Sequence, residues 1–327
     1  MMTKLPDIEN LPITNIPSPD KDHWPWKRIR PSVQKQAPVG NDWPKISIIT
    51  PNYNGADHLE KAIRSVLLQE YPNLEFIIVD GGSTDRSVEI IKKYEKWLSW
   101  WVSEKDNGQA NALNKGFGHC TGDIVNWLCS DDVLLPGALY AIARHFTSNP
   151  GVDIVAGQGR VTFTSGNRPD SIGGTTWEAI ELIPANNSVC QPSCFYKRSL
   201  LDRVPPLDES YHYAMDFELW AYFRSRNARW LVVDDVLCQA LMTGENKCST
   251  GGAAITEEQI RVYRTYVKEL IPLTFWYRFV RLPLARFRLR HPGRLAYLIA
   301  RPLEILVVLL LGPFYGFARV RNMNYLM

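Results

Sequence analysis

From Lys45 onward the chain alternates short apolar runs with segments whose apolar residues return every three to four positions. Ile46-Ser47-Ile48-Ile49-Thr50 reads as a buried strand, broken by Pro51-Asn52-Tyr53-Asn54-Gly55. The next segment gathers Leu59, Ala62, Ile63, Val66 and Leu67 on one helical stripe. Asp57 is its expected cap, with Glu60 placed as in a capping box and Pro72 beyond its end. Residues 74–79, 100–103 and 124–128 repeat the buried-strand pattern. Helices carrying Val88, Ile91 and Tyr94, then Ala110, Leu113 and Phe117, then Leu139, Ile142, Ala143 and Phe146 follow them, the last opened by Pro136-Gly137. Strands alternating with helices predict an α/β fold: an open, mostly parallel twisted sheet flanked by helices, with right-handed crossovers. Beyond residue 150 the pattern is mixed, with strands expected over 152–156, 161–163 and 191–197.

Polar residues fall at the strand ends. Asn52 with Asn54, Asp80, Asp106, and Asp131 with Asp132 each follow an apolar run, and strand ends of a doubly wound sheet converge on one ligand-binding rim. Adjacent carboxylates repel one another unless a cation or a proton offsets the charge. Oxygen ligands of this kind suit Mg2+ or Mn2+ shared with substrate phosphates. Taken alone, the pair is equally an Asp-Asp turn capping the next helix. Neither a G-x-G-x-x-G fingerprint nor a P-loop follows the first strand, so a metal rather than a glycine loop is expected to hold phosphate.

Composition narrows the classes. The 327 residues carry a net charge of only +3, which argues against a general nucleic-acid binder. Six cysteines form no C-x-x-C pair and read as free, mostly buried thiols of a reducing cytosol. Residues 1–44 hold eight prolines, which exclude regular helix and predict an extended or disordered extension, pinned to the surface by Trp24-Pro25-Trp26. Its polar composition contains no apolar stretch of a secretory signal.

Four motifs, in order, resemble the family 2 glycosyltransferases of the Rossmann-like GT-A fold: Ile48-Ile49-Thr50-Pro51-Asn52-Tyr53-Asn54; Val79-Asp80-Gly81-Gly82-Ser83-Thr84-Asp85; Asp106-Asn107-Gly108 with residues 111–116; and Ser130-Asp131-Asp132. The resemblance covers roughly residues 45–250. It implies an inverting transfer from a nucleotide diphosphate sugar, a UDP-sugar by preference, to a hydroxyl of a glycan or lipid-linked acceptor in cell-surface polysaccharide synthesis. Carried over position by position, Thr50 and Asn52 line the base pocket, and Asp80 binds uracil or ribose. Asp106 faces the nucleoside, Asp131 contacts ribose or sugar, and Asp132 ligates Mn2+ or Mg2+. The chain departs where relatives often carry an acid, since Cys129 stands there. Asn111 and Lys115, four apart, face either the cleft or solvent. Met215-Asp216-Phe217-Glu218-Leu219-Trp220 resembles the family segment that supplies the catalytic base; Asp216 is the expected base and Glu218 the rival, a simple helix cap being the plainer role for Asp216. The loop over residues 242–249 would close on the diphosphate; it lacks the family's frequent His and offers Lys247. The expected organisation is an extension over 1–44, a catalytic domain over 45–255 (nucleotide-binding half 45–135, acceptor half 136–255) and a helical tail over 256–327.

The tail has its own pattern. Residues 270–303 contain no acid, while Arg278, Arg281, Arg286, Arg288, Arg290, Arg294 and Arg301 alternate with apolar and aromatic side chains, among them Trp276, Tyr277, Phe279 and Phe287. Residues 303–311 are apolar apart from Glu304, too short a run to span a bilayer, and Pro302 and Pro313 should interrupt a longer helix. Such a segment suits the interface of an anionic membrane, placing the protein peripherally on the cytoplasmic face; a helix packed on the catalytic domain or joining two subunits is the rival. Two other functional classes compete. A nucleotide-sugar-binding scaffold anchored by its tail would not need Asp80, Asp131, Asp132 and Asp216 together, and a nucleotidyltransferase would want a glycine-rich basic loop where Asn52-Tyr53-Asn54 stands.

Overall fold

The structure, a computed structural model, describes residues 23–26, 42–163, 169–177, 180, 183–184, 189–244, 246–267, 287, 294–317 and 320. Its strands are β1 (Ile46–Asn52), β2 (Leu74–Asp80), β3 (Trp100–Ser103), β4 (Ile124–Trp127), β5 (Val133–Leu134), β6 (Ile154–Phe163), β7 (Ser171–Gly174), β8 (Cys194–Lys197) and β9 (Trp230–Met242). Its helices are α1 (Ala56–Leu67), α2 (Ser87–Tyr94), α3 (Gln109–His119), α4 (Ala138–Ser148), α5 (Met215–Ser225), α6 (Lys247–Thr250), α7 (Gly252–Tyr266) and α8 (Arg294–Tyr315). The strands form one sheet ordered β3-β2-β1-β4-β8-β6-β9-β5, with β7 beside β6. The first four are parallel, β8 runs antiparallel to both β4 and β6, and β6 runs parallel to β9.

Both faces of the parallel half are covered, which is why β1, β2 and β4 are buried at every position and read as unbroken apolar runs. Successive residues still take opposite sides. Ile48, Phe76 and Ile78 pack with α1, α2 and α4, whereas Ile49, Ile77 and Val79 pack with α3, α5 and α7.

The structure departs from the sequence expectations in several places. Residues 152–156 and 161–163 belong to one strand, β6, continuous from Ile154. Residues 191–193 form a 3-10 turn and β8 begins at Cys194, because Pro192 has no N–H to give a ladder. Asp57 does not cap α1: the helix starts a residue earlier, and Ala56 N–H is satisfied at 2.9 Å by Asp85 from the loop after β2. Glu60 is not in a capping box either; it accepts from Tyr94 Oη at 2.8 Å. The extension is pinned as expected, Trp24 Nε1 donating to Leu134 O at 2.8 Å and Trp26 lying under the Arg64 guanidinium at 5.1 Å. Helix α7 crosses the boundary expected after residue 255, and its Val262 shares a core with α5. Helix α8 runs through both Pro302 and Pro313. The stretch holding Trp276, Tyr277, Phe279 and most of the tail arginines lies outside the described residues.

Candidate active site

Parallel register sets the first half of the site. Asn52 pairs with Asp80 and Asp80 with Ser103, so three strand ends align on one rim. Asp80 is fully buried there. It accepts from Asn52 Nδ2 at 2.7 Å, Ser83 N at 2.9 Å, Ser83 Oγ at 2.5 Å and Ser103 Oγ at 2.6 Å. Those four bonds match the roughly four acceptor positions of a carboxylate, so its acceptor capacity is taken up within the protein. Ser83 Oγ also takes the Asn54 N–H at 2.7 Å, lacing the β1 and β2 loops together. Thr50 and Asn52 are buried, and Thr50 Oγ1 and Asn52 Oδ1 are among the buried polar atoms without a hydrogen-bond partner. Asp106, half-buried after β3, accepts from Gly108 N at 2.8 Å. A Cβ on Gly81 would meet Asp106 Oδ2 at 2.7 Å, so the two loops approach closely here and a larger residue would push the Asp106 side chain aside.

The second group follows β4. Cys129, Asp131 and Asp132 bring one ligand atom each within 4.8 Å of one another. Burial, and then the charge of Asp131, push the Asp132 carboxyl well above the usual carboxylate range; Leu241 N–H, 3.3 Å from Oδ1, works the other way. A cation would relieve that repulsion, and two adjacent carboxylates are a donor set that fits Mn2+ or Mg2+. The Cys129 thiol is also pushed well up, by burial and then by Asp132 and Asp131, which keeps it neutral; Gln109 Nε2 reaches its sulfur at 3.3 Å. The site therefore carries two carboxylates where the family pattern led to three.

Asp216 sits in the first turn of α5, one oxygen accepting from Phe217 N at 2.7 Å. Burial raises its carboxyl to about 6, opposed by backbone N–H groups and by the charge of Lys247. Glu218, the rival, is engaged elsewhere. It is buried, and both its oxygens are held by Arg203, one at 2.7 Å, with Tyr266 Oη donating to the same oxygen. Lys247 donates to His212 O at 3.2 Å; burial lowers its pKa, while Cys129, Glu258, Asp106 and Asp216 pull it back up. One cation thus lies within electrostatic reach of Asp106, Cys129 and Asp216. Asn111 and Lys115 are engaged elsewhere, Asn111 by Glu209 at 3.0 Å and Lys115 by Glu104 at 2.7 Å.

Sequence reading missed Asn246 and Glu258. Asn246 Nδ2 donates to Asp131 Oδ2 at 2.6 Å, across 115 positions of chain. Glu258 accepts three backbone N–H groups just ahead of α5. Neither sits in a motif, and nothing local marks a partner so distant. The five cysteines whose side chains are described are free, three of them buried.

Residues 47–204 match the family described as Glycosyl transferase family 2. An uncharacterized glycosyltransferase of Nostoc sp. is 27% identical over 234 residues, covering 66% of this chain and 70% of its own length. Staphylococcus aureus TarS 1–349, also solved with UDP-GlcNAc, is similar in structure with a TM-score of 0.56 at 19% identity, over 86% of this chain and 89% of that one. The mannosyltransferase PcManGT from Pyrobaculum calidifontis, in complex with GDP-Man and Mn2+, gives 0.55 at 17% identity over 89% and 87%. Both structures carry the fold, a curled open sheet flanked by helices. The sequence match over the β1 to β8 region and this shared architecture agree: residues 47–204 form a glycosyl transferase family 2 domain, and the chain is a glycosyltransferase of the GT-A fold.

Proposed function

We propose that this glycosyltransferase moves a sugar, with inversion, from a UDP-sugar to a hydroxyl of a glycan or lipid-linked acceptor. The observation that carries the reading is the pairing of two unlike acid groups, the adjacent Asp131 and Asp132 and the isolated, raised Asp216, with Lys247 in reach of Asp216. Thr50, Asn52, Asp80 and Asp106 form the nucleoside pocket. Thr50 Oγ1 and Asn52 Oδ1 are the groups left to bond base and ribose, and Asp80 fixes Asn52 from behind. Asp131 takes ribose or sugar. Asp132 would hold Mn2+ or Mg2+, which would offset the charge of the departing diphosphate; Lys247 would add a point cation. Asp216 takes the proton of the acceptor hydroxyl as that oxygen bonds to the anomeric carbon. The bond from that carbon to the diphosphate breaks on the opposite face, leaving an inverted glycoside and a nucleoside diphosphate. A carboxyl near 6 is ionised at neutral pH and more basic than a free carboxylate, as a general base requires. The complexes of TarS with UDP-GlcNAc and of PcManGT with GDP-Man and Mn2+ support the donor class and the metal.

The setting we propose is cell-surface polysaccharide synthesis at the cytoplasmic face of the membrane. Among the described residues, no helix is long and apolar enough to cross a membrane. Helix α8 instead exposes Leu298, Ile299, Leu303, Ile305, Leu306, Leu309 and Leu310, a broad apolar face next to an arginine-rich, acid-free sequence that suits anionic lipid. A panel of UDP- and GDP-sugars with Mn2+, read as release of nucleoside diphosphate, tests the chemistry. A scaffold would bind a donor from the panel and release nothing from it.

A further inference from the structure

The turn that delivers Asp216 is bound along its length by the segment 247–261. Arg261 donates to Ser210 O at 2.7 Å and lies over the Tyr211 ring at 3.7 Å. Lys247 donates to His212 O. Glu258 Oε1 accepts from His212 N at 2.9 Å, and its Oε2 accepts from Tyr213 N at 2.7 Å and Ala214 N at 2.8 Å. Five consecutive residues, 210–214, are thus touched by the segment 247–261. The helix they enter needs that support. Its N-cap is Ala214, which has no side-chain acceptor, and helices without one normally leave amide donors unpaired. A carboxylate brought from another helix pairs the Ala214 N–H and the two N–H groups before it, and its charge suits the positive end of α5.

We infer that Glu258 is a positioning residue for the catalytic base: standing on α7, it binds the backbone N–H groups of His212, Tyr213 and Ala214 and so fixes the segment that leads into α5 and, with it, where the Asp216 carboxylate stands. The inference rests on the reading of Asp216 as that base. Glu258 itself touches no substrate. It acts on where Asp216 stands, and an error of about 1 Å in such a group costs about a hundredfold in rate.

Turnover is measured as release of nucleoside diphosphate from the best donor of a UDP- and GDP-sugar panel with Mn2+, together with binding of that donor's nucleoside diphosphate by calorimetry. Glu258→Ala should lower kcat by about tenfold to a hundredfold and change nucleoside diphosphate affinity less than about threefold. Glu258→Gln, which keeps one acceptor oxygen for Tyr213 and Ala214, should recover most of the loss. Asp216→Asn run alongside separates the two claims. If Asp216→Asn keeps wild-type turnover, the base assignment falls. If Asp216→Asn is inactive but Glu258→Ala turns over normally, the assignment stands and the positioning role is refuted. Parallel losses of kcat and nucleotide binding in Glu258→Ala, not rescued by Gln, would also refute it, since they mark a general loss of folded protein.

Discussion

Asn246 donates through Nδ2 to Asp131 Oδ2 at 2.6 Å, and the same nitrogen reaches Leu241 O at 2.9 Å. One side chain therefore ties the loop after β9 to the acid pair after β4. Its own oxygen is occupied by Thr243 N at 2.6 Å and Thr243 Oγ1 at 2.9 Å, so the amide is fixed on both sides. Asn246→Ala should leave the fold intact and free both the loop and Asp131. A lost charge-assisted hydrogen bond is worth about 1.5–3 kcal/mol, so UDP affinity with Mn2+ is expected to fall at least tenfold by calorimetry. Unchanged affinity would show that this loop does not help to form the donor site.

The acid pair itself makes a second prediction. Asp132 is disfavoured as a charge by burial and by Asp131. Asp132→Asn should therefore abolish Mn2+-dependent turnover while the protein melts no lower than wild type without added metal. The wild-type enzyme should lose turnover in excess chelator and regain it when Mn2+ is restored. Full turnover in chelator would remove the metal from the scheme.

How far the sequence alone carried the reading can be judged at these same residues. The strand ends were legible because β1, β2 and β4 are buried on both faces, and a run such as Ile46 to Ile49 stops at the rim. The run ends therefore put Asn52, Asp80, Asp106 and the Asp131–Asp132 pair on one rim from sequence alone. Their individual states were not legible. Nothing in Val79-Asp80-Gly81 says that four donors saturate Asp80, because Asn52, Ser83 and Ser103 arrive from three separate segments. Nothing near Glu218 in the sequence shows that Arg203 and Tyr266 hold its carboxylate. The α1 cap failed for the same reason: Asp85, distant in sequence, won the Ala56 amide.

Asp216 and Glu218 should separate cleanly by experiment. Activity of the wild type should rise with pH through about 6, as the raised Asp216 carboxyl loses its proton. The sign for stability is opposite. Between the ordinary carboxylate range and about 6 the folded state holds a proton that the unfolded chain has released, so Asp216 costs stability as pH climbs through that window. Asp216→Asn should then lower turnover by about 10²–10⁴, keep nucleotide affinity, and melt higher than wild type at pH 7.5. Glu218→Ala should do the reverse. It strands Arg203 beside a buried gap, a loss of about 3–5 kcal/mol for a broken buried pair, and the protein that remains folded should still turn over. Thermal melts and pH–rate profiles of the two variants decide the assignment.

The last prediction concerns α8, whose two faces have different fates. Val308, Leu311 and Tyr315 fall on one stripe and pack with Tyr263 of α7 and Val320. The opposite stripe carries Leu306, Leu309 and Leu310, each about half exposed, and ends at Phe314, which is 83% exposed. An apolar face of this kind, kept off the protein by a second stripe that does pack, is available to a bilayer. Each buried side chain contributes about 1.5–3 kcal/mol there, and each nearby arginine about 1 kcal/mol on an anionic surface. The full-length chain should float with vesicles containing anionic lipid and only weakly with neutral ones. Leu306→Ser combined with Leu309→Ser and Leu310→Ser should sink it without lowering its melting temperature, since those side chains leave the Tyr263 contact alone. Truncation at residue 268 is a poorer test, because it also strips Tyr263 of its cover. If the wild type ignores vesicles and the triple variant instead turns a dimer into a monomer, the face is a subunit contact and the membrane assignment is wrong.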